Sequence, residues 1–150
     1  MLTPFFSAEN VHVPTLMSTE EYPSVFQLVS VISGRLLPST PFISVLSASL
    51  PPGSMTGAPK KRSCELLRHT EGSNAPRGLY SGIIGYFDVG GGADFSVVIR
   101  SAFRWRSEGF WRNGAGGAIT ALSKVDEEWE EMRAKREAVL QVLQGGSSLP

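Results

Sequence analysis

The sequence has 150 residues, of which 41% are hydrophobic and 19% charged, so it is long enough for one globular domain with its own core. Its 14 basic and 14 acidic side chains cancel, which argues against the basic surface that nucleic acid or an anionic membrane requires. No apolar run approaches the roughly 20 residues of a membrane-spanning helix. No signal-peptide pattern opens the chain and its single cysteine excludes a disulfide framework, so we expect a cytoplasmic protein.

The N-terminal part of the chain predicts extended segments followed by a helix. Residues 1–10 carry no cap or strand signal, so we expect them to be irregular and to mark a truncation point. Residues 11–14 have a short extended pattern, and the alternation of residues 25–37 is typical of a strand. A short helix is predicted over residues 42–50, because a Pro-Pro-Gly run follows it directly.

The middle of the chain predicts a helix and a hairpin. The helix covers residues 59–69, since proline suits its first turn and Gly72 lies just past its end. Residues 80–89 and 93–105 have strand patterns and are joined by three glycines, which favours an antiparallel hairpin.

The last third adds a strand and a helix. Residues 110–119 predict a third strand, and residues 125–144 predict a helix that ends at a Gly-Gly pair. Antiparallel strands with helices packed on one side define an α+β fold. We expect its domain to span residues 11–144, with a flexible tail over 145–150.

The segment 51–62, Pro-Pro-Gly-Ser-Met-Thr-Gly-Ala-Pro-Lys-Lys-Arg, is a glycine-containing turn that leads into a helix. Unpaired N–H groups and the helix dipole favour an anion there, and Thr56 and Lys60 add donors. The spacing of Gly53 and Gly57 is not that of a P-loop. A capped helix whose lysines face water is the alternative that these residues leave open.

Other positions also have two interpretations. Arg100, at the end of a strand that carries Asp94, is suited to grip a carboxylate through two hydrogen bonds or to pair with an acid of the chain. Tyr80 offers a phenolic donor but is also an ordinary sheet aromatic. Gly114 and Gly116 let a backbone approach a ligand closely, although turns are the commoner use of glycine.

The final helix separates an apolar stripe from an acidic edge. Glu128, Glu131 and Lys135 lie within a turn of one another. Paired carboxylates beside an anionic substrate would need a cation such as Mg²⁺, which takes oxygen ligands. Acids also suit a helix N-terminus, and Glu131 with Lys135 forms a favourable pair four residues apart, so the residues leave both interpretations open.

Five ordered motifs resemble those of the chorismate-utilising enzymes, which include anthranilate, aminodeoxychorismate, isochorismate and salicylate synthases. They are the Gly-Ser-Met-Thr-Gly-Ala-Pro-Lys-Lys-Arg loop at 53–62, Tyr-Ser-Gly-Ile-Ile-Gly-Tyr at 80–86, Asp-Phe-Ser-Val-Val-Ile-Arg at 94–100, Gly-Ala-Gly-Gly at 114–117 and Glu-Trp-Glu-Glu at 128–131. The resemblance covers nearly the whole chain and implies that residues 11–144 are a partial chorismate-binding domain.

The resemblance also implies a role for each matched position. The substrate chorismate would be held by Thr56, Gly57, Tyr80, Arg100, Gly114 and Gly116. Mg²⁺ would be ligated by Glu128 and Glu131, and the catalytic lysines would be Lys60 and Lys135.

Within the family, residues 85–92 and 118–123 look most like the fungal aminodeoxychorismate synthases. Gln27 stands where several members have a histidine, and glutamine cannot act as an acid or base. The resemblance therefore implies synthesis of 4-amino-4-deoxychorismate for p-aminobenzoate and folate, with ammonia from a glutamine amidotransferase domain or subunit. An anthranilate or isochorismate synthase fragment, an inactive chorismate-binding remnant and a simple anion-binding module are the alternatives.

Overall fold

A computed structural model describes residues 5–23, 25–72 and 76–145. The chain divides into two compact units, Met1–Leu50 and Pro51–Pro150. The α+β class predicted from the sequence is confirmed, because the described residues form four helices and three antiparallel strand pairs. No helix among them is long and apolar enough to cross a bilayer.

The first unit contains a long strand pair. Strand β1, Phe6–Tyr22, pairs with β2, Val25–Leu36, in a register that places Tyr22 opposite Val25. The prediction of a strand over 25–37 is confirmed. The prediction of an irregular segment over 1–10 is wrong from Phe6 onward, because β2 supplies a ladder partner for this polar stretch. A register shift between His12 and Thr15 accommodates Pro14, which lacks the N–H that a regular ladder requires.

Helix α1, Phe42–Ser49, follows this strand pair and confirms the short helix predicted over 42–50. Pro41 precedes it with an extended backbone, and Leu50 ends it in the same conformation. Because Pro51 cannot continue a helix, the sequence marks this boundary clearly.

The second unit contains three helices. Helix α2, Gly53–Thr56, leads into α3, Lys60–Glu71, which Pro59 precedes and Gly72 ends at a positive φ of 87°. Helix α4, Val125–Leu143, carries three acids in its first turn, where they complement the dipole. The helices predicted over 59–69 and 125–144 are confirmed, and the flexible tail predicted over 145–150 lies outside the described residues except for Gly145.

The predicted hairpin is confirmed, but its strands are short. Strand β3, Ile83–Phe87, pairs with β4, Ala93–Val97, through a turn in which Asp88 accepts a bond from the Gly90 N–H at 2.5 Å. The predicted strand 93–105 is interrupted, because the Ile99 N–H turns back to the Val97 carbonyl and Arg100 adopts a φ of 50°.

The third strand pair of the described chain, which lies in the second unit, consists of two very short strands of two residues each. Strand β5, Ala102–Phe103, pairs with β6, Arg112–Asn113. The third strand predicted over 110–119 is therefore wrong after Asn113. The glycine-rich stretch that follows forms no ladder among the described residues, and it lies against Tyr80 instead.

Candidate functional site

A cavity of about 1190 Å³ lies within the second unit. It is lined by the α2–α3 loop, the turn before β3, the segment around Arg100, the glycine-rich stretch and one side of α4. Eight of the ten site residues expected from the sequence line it: Thr56, Gly57, Tyr80, Arg100, Gly114, Gly116, Glu128 and Lys135. Lys60 and Glu131 are not among the lining residues, so the structure does not place them at the surface of this cavity.

The α2–α3 loop forms one wall. Gly57 ends α2 with a φ of 90°, a conformation that favours glycine, and its N–H donates to the Gly53 carbonyl at 2.7 Å. The Thr56 hydroxyl donates to the Pro52 carbonyl at 3.2 Å. The donor that the sequence predicts at Thr56 is therefore engaged in this conformation, because a hydroxyl has a single hydrogen to donate.

Tyr80 packs on the backbone of the glycine-rich stretch. A Cβ added at Gly114 would overlap the Tyr80 ring, and one added at Gly116 would lie 3.2 Å from the phenolic oxygen. Glycine at these two positions therefore lets a half-buried aromatic ring and a backbone segment share the cavity wall.

Replacing Gly114 with alanine is expected to lower the free energy of unfolding by about 1–2 kcal/mol, because the new methyl group forces the Tyr80 ring or the backbone to move. Thermal or urea unfolding measures the change. The matched control is Gly109→Ala, where a Cβ meets nothing within 4 Å. Equal stability of the two variants would contradict the close packing of Tyr80 on Gly114.

Arg100 follows the end of β4 rather than lying within a strand, and its side chain is exposed. Among the described residues it forms no ion pair within 4.0 Å, so the alternative of a salt bridge to Asp94 is not realised there. Its positive charge still reaches α4. The pKa of Glu131 lies below its ordinary value, chiefly through the hydrogen bond and charge of Lys135 and to a smaller extent through Arg100.

The carboxylates of α4 differ in their partners. The Oε1 atom of Glu128 accepts a bond from the Ser123 hydroxyl at 2.6 Å, whereas its Oε2 atom is buried and has no hydrogen-bond partner among the described residues. A Cβ at Gly117 would lie 2.5 Å from that Oε2 atom. Glu131 forms an ion pair with Lys135, whose Nζ also donates to the Gly116 carbonyl at 3.1 Å.

The charged groups that line the cavity are therefore not all paired within the described chain. Lys135 is paired with Glu131, and a second lining cation, Arg77, is paired with Glu71, whereas Arg100 has no ion pair in the described part of the chain. The unpartnered oxygen of Glu128 leaves a negative charge opposite the glycine-rich stretch. An anionic ligand for Arg100 and a cationic one for Glu128 would satisfy both groups.

Sequence reasoning missed Arg77 and Ser123, which hold neighbouring site residues in place. Arg77 lies six residues beyond Glu71, and Ser123 lies five residues before Glu128. Side chains five or six residues apart in one regular helix or strand do not contact each other, so periodicity carried no signal for these pairs.

The fold is an α+β arrangement with a cavity in its second unit, and a solved structure shares this fold. The crystal structure of anthranilate synthase component I from Streptococcus pneumoniae TIGR4 superimposes with a TM-score of 0.76 and 29% identity, over 92% of this chain and 31% of that one. The sequence profile of the family described as chorismate binding enzyme matches residues 1–141. The chain belongs to this family, which confirms the resemblance seen in its motifs.

Individual relatives are similar over almost the whole chain. Aminodeoxychorismate synthase of Saccharomyces cerevisiae is 45% identical over 148 residues, which cover 89% of this chain and 19% of the relative. A Schizosaccharomyces pombe protein, provisionally named an aminodeoxychorismate synthase, is 50% identical over 131 residues, which cover 87% of this chain and 18% of the relative. The chain thus spans about a fifth of the length of these proteins.

Proposed function

We propose that this chain forms part of a synthase that converts chorismate and ammonia to 4-amino-4-deoxychorismate for p-aminobenzoate and folate biosynthesis. The observation that carries the proposal is that one cavity is lined by Arg100, which has no ion pair in the described chain, and by Glu128, one oxygen of which has no hydrogen-bond partner there. The identity of 45% to an enzyme named aminodeoxychorismate synthase favours this product within the family. The cytoplasmic setting stays a prediction.

Chorismate carries two carboxylates, and the cavity offers them separate partners. Arg100 would bind one carboxylate through two charge-assisted hydrogen bonds. The Tyr80 hydroxyl and the backbone N–H groups around Gly114 and Gly116 would bind the other. The Thr56 hydroxyl would donate to the substrate only after it gives up its hydrogen bond to the Pro52 carbonyl. Gly57, which lacks a side chain, would let the substrate approach its backbone closely.

Glu128 and Glu131 would hold Mg²⁺. No group of three His, Cys, Asp or Glu side chains suited to a metal occurs among the described residues. Two carboxylates still fit Mg²⁺, because this ion usually keeps several waters and takes its other oxygens from the substrate. The buried, unpartnered oxygen of Glu128 supports this assignment, while Glu131 must first give up Lys135. The bound ion would neutralise a substrate carboxylate.

In the reaction, ammonia forms a C–N bond as the 4-hydroxyl leaves with its electron pair, and the departing hydroxide takes one proton from the new C–NH₃⁺ group, which leaves the amine and water. Lys135 would act at this step, because its ammonium group lines the cavity and stabilises developing negative charge. Lys60, at the start of α3 and outside the cavity lining, has weaker support as a catalytic residue. A glutamine amidotransferase domain or subunit would supply the ammonia.

A second candidate is chorismate binding without turnover. It is favoured by one observation: the chain matches only 19% of the length of the named yeast synthase. We expect the isolated 150-residue chain to show weak turnover or none, and formation of aminodeoxychorismate from chorismate and ammonia by this chain would contradict that expectation.

Titration calorimetry tests the proposal. We expect chorismate to bind the isolated chain more tightly with Mg²⁺ than without it, because the metal offsets repulsion between the ligand and the α4 carboxylates. Inorganic phosphate and sulfate serve as controls, and an affinity for them equal to that for chorismate would indicate a simple anion-binding module. Product analysis of a longer polypeptide that contains this chain distinguishes aminodeoxychorismate from anthranilate and isochorismate.

A further inference from the structure

Arg77 forms a branched set of contacts at the edge of the cavity. Its Nε and Nη2 atoms donate to the two carboxylate oxygens of Glu71 at 2.8 and 2.5 Å. Its Nη1 atom donates to the Met55 carbonyl at 3.3 Å and to the Ser81 hydroxyl at 3.1 Å. A single guanidinium thus joins α2, the end of α3 and the turn before β3.

The residues that Arg77 holds adjoin expected substrate contacts. Met55 directly precedes Thr56, and Ser81 directly follows Tyr80. Ser81 is the buried polar residue of the described chain, at 7% exposure, and its N–H donates to the Val98 carbonyl at 3.0 Å. The contacts therefore continue from Arg77 through Ser81 to Val98, two residues before Arg100.

The charge of Arg77 is already satisfied by Glu71. The two hydrogen bonds form a bidentate pair, the strongest geometry available to a guanidinium and a carboxylate. These bonds hold the pKa of Glu71 below its ordinary value, so the carboxylate stays charged near neutral pH. An arginine engaged in this way fixes its neighbours more readily than it binds an incoming anion.

We propose that Arg77, anchored by Glu71, is a positioning residue. It fixes helix α2 and the turn before β3 relative to each other in the arrangement that binds the substrate dicarboxylate. The identity of the ligand in this inference rests on the proposed function, whereas the contacts of Arg77 are observed independently of it. Lysine cannot replace Arg77, because an ammonium group lacks the planar fork that reaches three partners at once.

Replacing Glu71 with glutamine separates a positioning role from direct ligand binding. The substitution removes a negative charge from the cavity wall and frees the guanidinium, so a ligand-binding Arg77 would bind a dianion equally well or more tightly. A positioning Arg77 loses its anchor, and chorismate affinity in the presence of Mg²⁺ falls by about 3- to 10-fold in calorimetry. Arg77→Lys is expected to lower the affinity by a similar factor.

Hydrogen exchange of the ligand-free chain tests the same inference without chorismate. In Glu71→Gln and Arg77→Lys, we expect faster exchange at the amides of Gly57 and Ser81, and unchanged exchange at that of Glu128 in α4. The matched control is Glu65→Gln, which removes an equal charge from α3 in an exposed pair with Arg62 outside the cavity.

The two measurements give distinct failures. If the unsubstituted chain does not bind chorismate, the proposed function fails, while faster exchange at Gly57 and Ser81 still supports the positioning role. Unchanged exchange at both amides in Glu71→Gln overturns the inference, as does an undiminished or increased affinity of that variant for chorismate. A Glu65→Gln effect as large as that of Glu71→Gln overturns it as well.

Discussion

Replacing Arg100 with glutamine is expected to lower chorismate affinity by about 10- to 100-fold, since hydrogen bonds to charged groups contribute about 1.5–3 kcal/mol each. Arg100 is the cation of the cavity that has no ion pair among the described residues, so its charge is available to a ligand. Glutamine keeps a donor but loses both the charge and the two-pronged geometry. Titration calorimetry in saturating Mg²⁺ measures the change.

Two further variants make this result specific. Arg100→Lys retains the charge and is expected to recover only part of the affinity, because one ammonium cannot form the bidentate contact. Arg106→Gln removes an exposed arginine outside the cavity lining and is expected to bind chorismate like the unsubstituted chain. An Arg100→Gln variant with undiminished affinity would remove Arg100 from the substrate site.

The motifs located the cavity because each carries its chemistry within a few consecutive residues. Tyr80 lies in the turn before β3, and Glu128 lies in the first turn of a helix whose end is marked by the glycine at 145. Local patterns of this kind predicted the helices and the β3–β4 hairpin. Most of the site residues that these patterns predicted line one cavity of the second unit.

The structural features that the sequence did not predict depend on contacts between residues that no local pattern links. The run Val97, Val98 and Ile99 has strand-forming side chains, yet the ladder ends there because Val98 bonds to the turn at Ser81 and Gly82. Arg100 consequently has a left-handed backbone conformation and does not belong to a strand. The pairing of Arg77 with Glu71 likewise joins the end of α3 to a residue six positions further along the chain, and no spacing rule predicts it.

The three cations of the described chain that line the cavity differ in their partners. Arg77 is committed to Glu71 and to backbone and hydroxyl acceptors, so it organises the wall. Lys135 is held by Glu131 and the Gly116 carbonyl, and a metal at Glu131 would release it. Arg100 is left for the ligand. Metal binding and the release of Lys135 would therefore be coupled, because one carboxylate serves both cations.

Replacing Glu128 with glutamine is expected to abolish the gain in chorismate affinity that Mg²⁺ provides, a loss of about 100-fold under saturating metal. Changing a residue that supports a metal-coordinating side chain already costs about 10- to 100-fold, and loss of the coordinating side chain itself costs at least as much. The same change is expected to raise the free energy of unfolding of the ligand-free chain by up to about 1 kcal/mol. The buried Oε2 atom of Glu128 lacks a partner, and a neutral amide is less costly there than an uncompensated charge.

The opposite signs of these two effects distinguish a metal ligand from a structural acid. Glutamine keeps the oxygen that accepts the Ser123 hydroxyl bond, so the start of α4 retains that contact. Glu130→Gln is the matched control, because it removes the same charge from the same helix in an exposed pair with Arg133. Calorimetry across a Mg²⁺ series and thermal unfolding without metal provide the two readouts. A Glu128→Gln variant that is less stable and still responds to Mg²⁺ would show that this carboxylate supports the helix rather than the metal.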